Sequence, residues 1–254
     1  MFRNMAQIDI KLGVQSILLR VNEAFAARNA AIKTKKPMLV AVSKTKPAEA
    51  ILEAYETGQR DFGENYVNEL KEKGANPTIL ENCKDIRWHF IGHLQSSNVN
   101  KVLKTPGIYM IETIDSEKLA TTVNNSWEKI TKPNKEPLKV LVQVNTSSED
   151  AKSGVDPSNV VPLCKYIRDT CTNLRLEGLM TIGKFGHDYT TGPNPDFISL
   201  MKCHSDVCQA FGLNEADVEV SMGMSDDFDE AIKMGSTIVR VGSSIFGYRQ
   251  KKEN

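Results

Sequence analysis

Apolar residues open the chain at near-helical spacing: Ile8, Leu12, Leu18, Val21, Phe25 and Ile32. That period predicts a helix over about residues 6–34, ended by two positive residues and Pro37. From there the pattern alternates. Short apolar, β-branched runs predict strands at 38–43, at a stretch ending near 62, and at 85–90, 108–111, 138–144, 174–180, 218–221 and 237–241. Between them, helical spacing predicts helices at 47–56, 65–80, 96–103, 116–130, 157–170, 195–211 and 226–234, with a short one starting near Ser243. The stretches 131–137 and 185–195 read as surface loops.

Eight strands each followed by a helix predict βαβ units and a parallel sheet. In about 215 residues they fit a (β/α)8 TIM barrel with an extra N-terminal helix. A doubly wound open sheet is the alternative; against it, no Gly-x-Gly-x-x-Gly follows the first strand. One domain is expected over residues 1–254, with 1–36 as the N-terminal helix and 37–250 as the barrel. The chain ends at Asn254, soon after the last strand, so no second domain is expected.

Charge narrows the partners. Thirty-two Lys and Arg balance 32 Asp and Glu. No excess of positive charge points to nucleic acid. No run approaches a membrane span, and the N-terminus, with Arg3, Asp9 and Lys11, does not read as a secretory signal. Five cysteines, odd in number and without a Cys-x-x-Cys pair, fit a reducing compartment. The expectation is a cytoplasmic monomer, a mitochondrial pool being left open. No metal site is expected: His89 and His93 share an i,i+4 spacing, but Gly92 and the strand-like run before them argue against a helical pair.

Barrels of this class carry their sites at the C-terminal ends of the strands. There, Lys44 shares parity with Val40 and Val42 and continues whichever face those valines occupy. A lysine so placed is partly desolvated. Its pKa is expected to fall, as an amine that attacks a carbonyl requires. The plain alternative is a solvated loop lysine or a structural ion pair, and Lys46 competes for the role. After strands seven and eight, Ser221-Met222-Gly223-Met224-Ser225 and Gly242-Ser243-Ser244 lead into helices. Such turns suit a phosphate, though serine capping alone also explains them. Arg240 faces opposite to Val239 and Val241, as a phosphate clamp, a ring-nitrogen partner or a buried salt bridge. An aldehyde carrying a phosphate and an aromatic ring nitrogen would use all three features. Pyridoxal 5'-phosphate is such a molecule; the sugar phosphates of Schiff-base aldolases lack the ring nitrogen.

Seven motifs in order resemble one family. They are Val40-Ala41-Val42-Ser43-Lys44-Thr45, Phe62-Gly63-Glu64-Asn65-Tyr66, Trp88-His89-Phe90-Ile91-Gly92-His93-Leu94-Gln95, Val144-Asn145-Thr146-Ser147, Gly178-Leu179-Met180-Thr181, Ser221-Met222-Gly223-Met224-Ser225 and Arg240-Val241-Gly242-Ser243-Ser244-Ile245-Phe246-Gly247. The chain resembles the pyridoxal phosphate homeostasis proteins, single-domain relatives of the alanine racemase N-terminal barrel. The resemblance runs from the first strand to Gly247. It implies a fold-type III barrel that binds pyridoxal 5'-phosphate, with Lys44 as the imine lysine and Arg240 at the pyridine nitrogen. Ser221, Gly242 and Ser243 would hold the phosphate, with backbone contacts from Met222. Asn65, His89 and Met180 would line the pocket, although His89 reads equally as a satisfied core histidine and Met180 as barrel filler. In one place the chain departs from the family: Ser97-Asn98 follow Ser96 where Asn-Lys is usual, so no role of that lysine carries over.

Arginine accepts no proton, and its charge opposes protonation of a ring nitrogen beside it. The resemblance therefore implies holding and delivery of the cofactor, with PLP-dependent apoenzymes as recipients. The alternatives are a weak, broad-specificity amino-acid racemase using Lys44 as a base, and a Schiff-base aldolase.

Overall fold

The computed structural model describes residues 9–130, 136–147 and 153–248. Eight parallel strands close into a barrel in chain order: β1 (Met38–Val42), β2 (Asp61–Glu64), β3 (Arg87–Phe90), β4 (Ile108–Ile114), β5 (Leu138–Gln143), β6 (Leu174–Met180), β7 (Glu219–Ser221) and β8 (Ile238–Val241). β8 returns to β1, with Val40 opposite Arg240 and Ala41 opposite Val241. That closure decides for the barrel and against the open sheet.

Ten helices cover the described chain: α1 (Ile10–Ala26), α2 (Ala48–Glu56), α3 (Val67–Gly74), α4 (Pro77–Asn82), α5 (Val99–Leu103), α6 (Glu117–Glu128), α7 (Val160–Thr170), α8 (Pro195–Phe211), α9 (Phe228–Met234) and α10 (Ser243–Phe246). Several begin where their caps dictate. The side chains of Asp9, Ser116 and Asn194 accept from the backbone N–H groups of Leu12, Leu119 and Asp196.

Three differences from the sequence reading have a local reason. The helix expected at 65–80 is two, because Asn76 caps a new helix whose first residue is Pro77. The first helix stops at Ala26, short of residue 34; Asn29 then turns the chain by accepting from the Ala31 N–H. Residues 6–8 of that expectation, and 131–135 of the expected 131–137 loop, lie outside the described residues. The fourth strand runs three residues beyond Ile111. Its extension holds Glu112 and Thr113, which are buried and hydrogen-bonded, so the apolar pattern fails while the strand continues. The expected 185–195 loop contains a 3₁₀ turn, Tyr189–Thr191.

Strand parity sorts the side chains. Leu39, Ala41, Val239 and Val241 join the large core between sheet and helices. Val40, Met110, Leu141, Met180 and Ile238 form a small apolar cluster inside the barrel. The rest of the interior is a charged chain. Arg87 pairs with Asp61, Asp61 and Glu112 flank His89, and Glu112 meets Ser221, which meets Arg240.

Candidate active site at the barrel mouth

A cavity of about 650 Å³ opens at the C-terminal ends of the strands, on the β8, β1 and β2 side. Its size is that of a small-molecule site. Val42, Lys44, Asn65, Arg240, Gly242 and Ser243 stand on its wall, as does Lys46. The parity argument holds for both cations. Lys44 continues the inward face of Val40 and Val42, and Arg240 lies inward between the outward Val239 and Val241.

Arg240 is only 4% exposed and firmly aimed. Its Nη1 donates to Ser221 Oγ at 2.7 Å and its Nη2 to the Thr181 carbonyl at 2.8 Å. Burial lowers its pKa, against the opposing pull of Glu112 and Asp227. Lys46 is half-buried; its Nζ donates to the Tyr248 carbonyl at 3.4 Å, and desolvation lowers its pKa. Three cationic side chains thus line the cavity, and Asp226 is the one acidic lining residue among those described. The field favours an anion.

Two glycines shape the walls. A Cβ on Gly92 would lie 1.9 Å from the Asn65 carbonyl oxygen, so only glycine lets the two loops pass this closely and sets Asn65 on the wall. Gly223 has φ +94°, and a Cβ there would meet Ala231 at 2.6 Å. This turn carries the chain from β7 into the 224–226 wall. There the Met224 N–H donates to Asp227 Oδ1 at 2.7 Å and the Gly242 N–H to Ser225 Oγ at 3.2 Å.

Four residues expected at the site do not stand on this cavity's wall. His89 is fully buried below it, with Nδ1 2.8 Å from Glu112 Oε1 and Nε2 3.1 Å from Asp61 Oδ1. The Ser221 hydroxyl donates to Glu112 Oε2 at 2.6 Å and accepts from Arg240, so it braces the arginine from behind. Met180 fills the inner apolar cluster, and Met222 points outward into the helix-facing core. Conversely, the sequence reading missed Ile182, Phe185 and Tyr248, apolar rim residues 44%, 76% and 83% exposed. The only sequence signal was an apolar pair in the polar, glycine-flanked loop after β6.

The family model for the alanine racemase N-terminal domain matches residues 21–250. The chain belongs to the alanine racemase N-terminal domain family. Among its relatives, the pyridoxal phosphate homeostasis proteins of Mus musculus and Homo sapiens are 51% and 50% identical to it over 244 residues, 96% of this chain and 88% of each of theirs. The structure of PipY from Synechococcus elongatus with PLP bound is 29% identical, with a TM-score of 0.72 over 91% of this chain and 100% of that one. Lys44 and Arg240 both line this chain's cavity at the strand ends.

The residues present fit pyridoxal phosphate. Asn65 Oδ1 is a buried acceptor on the wall that no protein group satisfies, so a donor from a bound molecule is what it lacks. The positive lining matches a phosphate. Gly242 and Ser243 line the wall just beyond the end of β8.

Proposed function

We propose that this protein binds pyridoxal 5'-phosphate at the barrel mouth and takes part in its intracellular homeostasis, holding the cofactor for PLP-dependent apoenzymes. The observation that carries the reading is the convergence of inward-facing Lys44 and braced Arg240 on one anion-favouring cavity. Pyridoxal phosphate supplies an aldehyde, which condenses with an amine to an imine and water. Lys44 is the amine assigned to it, because it lines the cavity two residues beyond the end of β1, while Lys46 lies next to the exposed Pro47. Gly242 and Ser243 are assigned to the phosphate, and Asn65 to a polar group of the cofactor.

Arg240 is assigned to the pyridine nitrogen. It presents only donors and accepts no proton, which disfavours a protonated ring and the carbanion chemistry that depends on one. Its bonds to Ser221 and Thr181 hold the guanidinium in place at the cavity wall, which supports that assignment. The reading is of a single barrel unit, a monomer, and a cytoplasmic protein. The five cysteines are free and buried, in keeping with a reducing compartment. Among the described residues, no helix is long and apolar enough to cross a membrane.

Borohydride reduction of the protein incubated with pyridoxal phosphate, followed by peptide mapping, tests the assignment. The label is expected on Lys44, and Lys44→Ala is expected to lose it. A label on Lys46 in the wild-type protein would overturn the assignment. Racemisation of alanine or serine at ~1 s⁻¹ or faster, a rate typical of enzymes, would overturn the holding role.

A further inference from the structure

Lys44 sits on a turn whose backbone needs support. Thr45, the next residue, has φ +63°, and among the described residues it is the one non-glycine in the left-handed region. A β-branched residue adopts that conformation only where its surroundings enforce it. The surroundings here are specific. The Thr45 N–H donates to Glu69 Oε2 at 2.7 Å. On the other side of Lys44, the Ser43 carbonyl accepts from Lys73 Nζ at 2.7 Å, and the Ser43 hydroxyl donates to Glu64 Oε1 at 2.6 Å. Lys73 Nζ also reaches Glu64 Oε1 at 2.7 Å and Glu69 Oε2 at 3.2 Å. All three of its protons therefore have acceptors.

Glu69 and Lys73 lie one turn apart on α3, so one face of that helix grips both peptide neighbours of Lys44. We infer that Glu69 and Lys73 are positioning residues, holding the strained Ser43–Thr45 turn so that the Lys44 amine is presented to the cavity. The inference rests on Lys44 being the cofactor's amine. A purely structural ion pair would join α3 to the sheet, and its loss would lower stability without changing what Lys44 does. A positioning pair predicts a change at Lys44 itself.

Glu69 is the residue to vary. Its side chain is 28% exposed, and without it Glu64, wholly buried, still keeps Lys73. Glu69→Ala removes the acceptor of the Thr45 N–H; Glu69→Gln returns an amide oxygen to the same place. Two readouts are needed. In cofactor-free protein, amide hydrogen exchange at Thr45 is expected to quicken about tenfold or more in Glu69→Ala and to recover most of its protection in Glu69→Gln. With pyridoxal 5'-phosphate below saturation, the borohydride-trapped yield on Lys44 is expected to fall several-fold in Glu69→Ala and to be largely rescued in Glu69→Gln, with thermal midpoints close to wild type. Unchanged Lys44 labelling in Glu69→Ala would overturn the inference while leaving the proposed function intact. If Glu69→Ala does not fold, Glu69→Leu, of similar size but without an acceptor for the Thr45 N–H, decides in its place: quicker Thr45 exchange with reduced labelling supports the inference, and unchanged labelling overturns it. A wild-type protein never labelled on Lys44 would overturn the proposed function and this inference with it.

Discussion

The Ser221 hydroxyl accepts from Arg240 Nη1 and donates to Glu112 Oε2, both within 2.7 Å, in a fully buried setting. Removing it strands a donor on one side and an acceptor on the other, which costs more than the bonds themselves contribute. Ser221→Ala is expected to destabilise the protein by ~1–3 kcal/mol, read from urea unfolding at neutral pH. A change below ~0.5 kcal/mol, the range of neutral surface substitutions, would mean that the bridge is dispensable. The same serine shows what a sequence withholds. The alternation of side chains put Lys44 on the face of Val40 and Val42, and Arg240 opposite to Val239 and Val241, since period 2 is written in the chain. It did not tell depth. Ser221 pairs with Met180 across β6 and β7, and with Ile238, the inward residue preceding Arg240, across β7 and β8. It therefore occupies the layer beneath the mouth, and barrel register, a non-local property, decides that.

At the scale of elements, α1 packs against α2, α9 and α10, and the turn beyond it sends Arg28 back across the barrel's outer ring. Arg28 Nε donates to the Ile232 carbonyl and Nη2 to the Ser236 carbonyl, both at 2.6 Å, at the C-terminal end of α9. Its Nη1 reaches the Thr34 carbonyl and hydroxyl, tying the linker before β1 to the same point. Desolvation lowers this guanidinium's pKa to about 10, so it stays charged at neutral pH and complements the helix end. Arg28→Ala is expected to cost about 2 kcal/mol. Because α9 anchors the Gly223 turn through Phe228 and Ala231, cofactor affinity should fall as well. Both are measurable, by urea midpoint and by titration of pyridoxal phosphate; an unchanged midpoint would refute the anchoring role. The elements themselves were largely legible, because β-branched runs and helical spacing are local signals. β6 and α8 match their predicted bounds residue for residue. The split at Asn76–Pro77 was also written locally, and the apolar spacing of 65–80 overrode it. The grip of α3 on the Ser43–Thr45 turn was not legible, since nothing local joins residues 69 and 73 to residue 43.

Across the whole molecule, the barrel interior behaves as one electrostatic unit, and pH reveals it through two buried histidines with opposite surroundings. Burial works against the charged form of His89, but its bonds to Asp61 and Glu112 outweigh that and raise its pKa to about 9. Burial likewise opposes ionisation of Asp61, and Arg87 and His89 together bring it down to about 2. His204, on α8, is desolvated with two carbonyls at 3.2 Å as neighbours, and its pKa is lowered. Proton uptake then sets the sign. Below about pH 6.5 both folded and unfolded chains hold the His89 proton, and its stabilising effect is complete. Between about 6.5 and 9 only the folded chain keeps it, so folding takes up a proton and stability falls as pH rises; above about 9 the contribution is gone. Asp61 acts at the other end: its contribution is full above about 4 and is lost as pH falls toward 2. The His89 ring is expected to remain an imidazolium at pH 8 by NMR titration, while the His204 ring is expected to titrate below the ordinary histidine range. The unfolding midpoint should decline from pH 6.5 to 9, and this slope should flatten in His89→Gln, which loses the titrating ring. A His89 that titrates near 6.5 would show that the carboxylates on either side do not hold its proton, and Glu112 would then reach Ser221 and Arg240 without the cation beneath it.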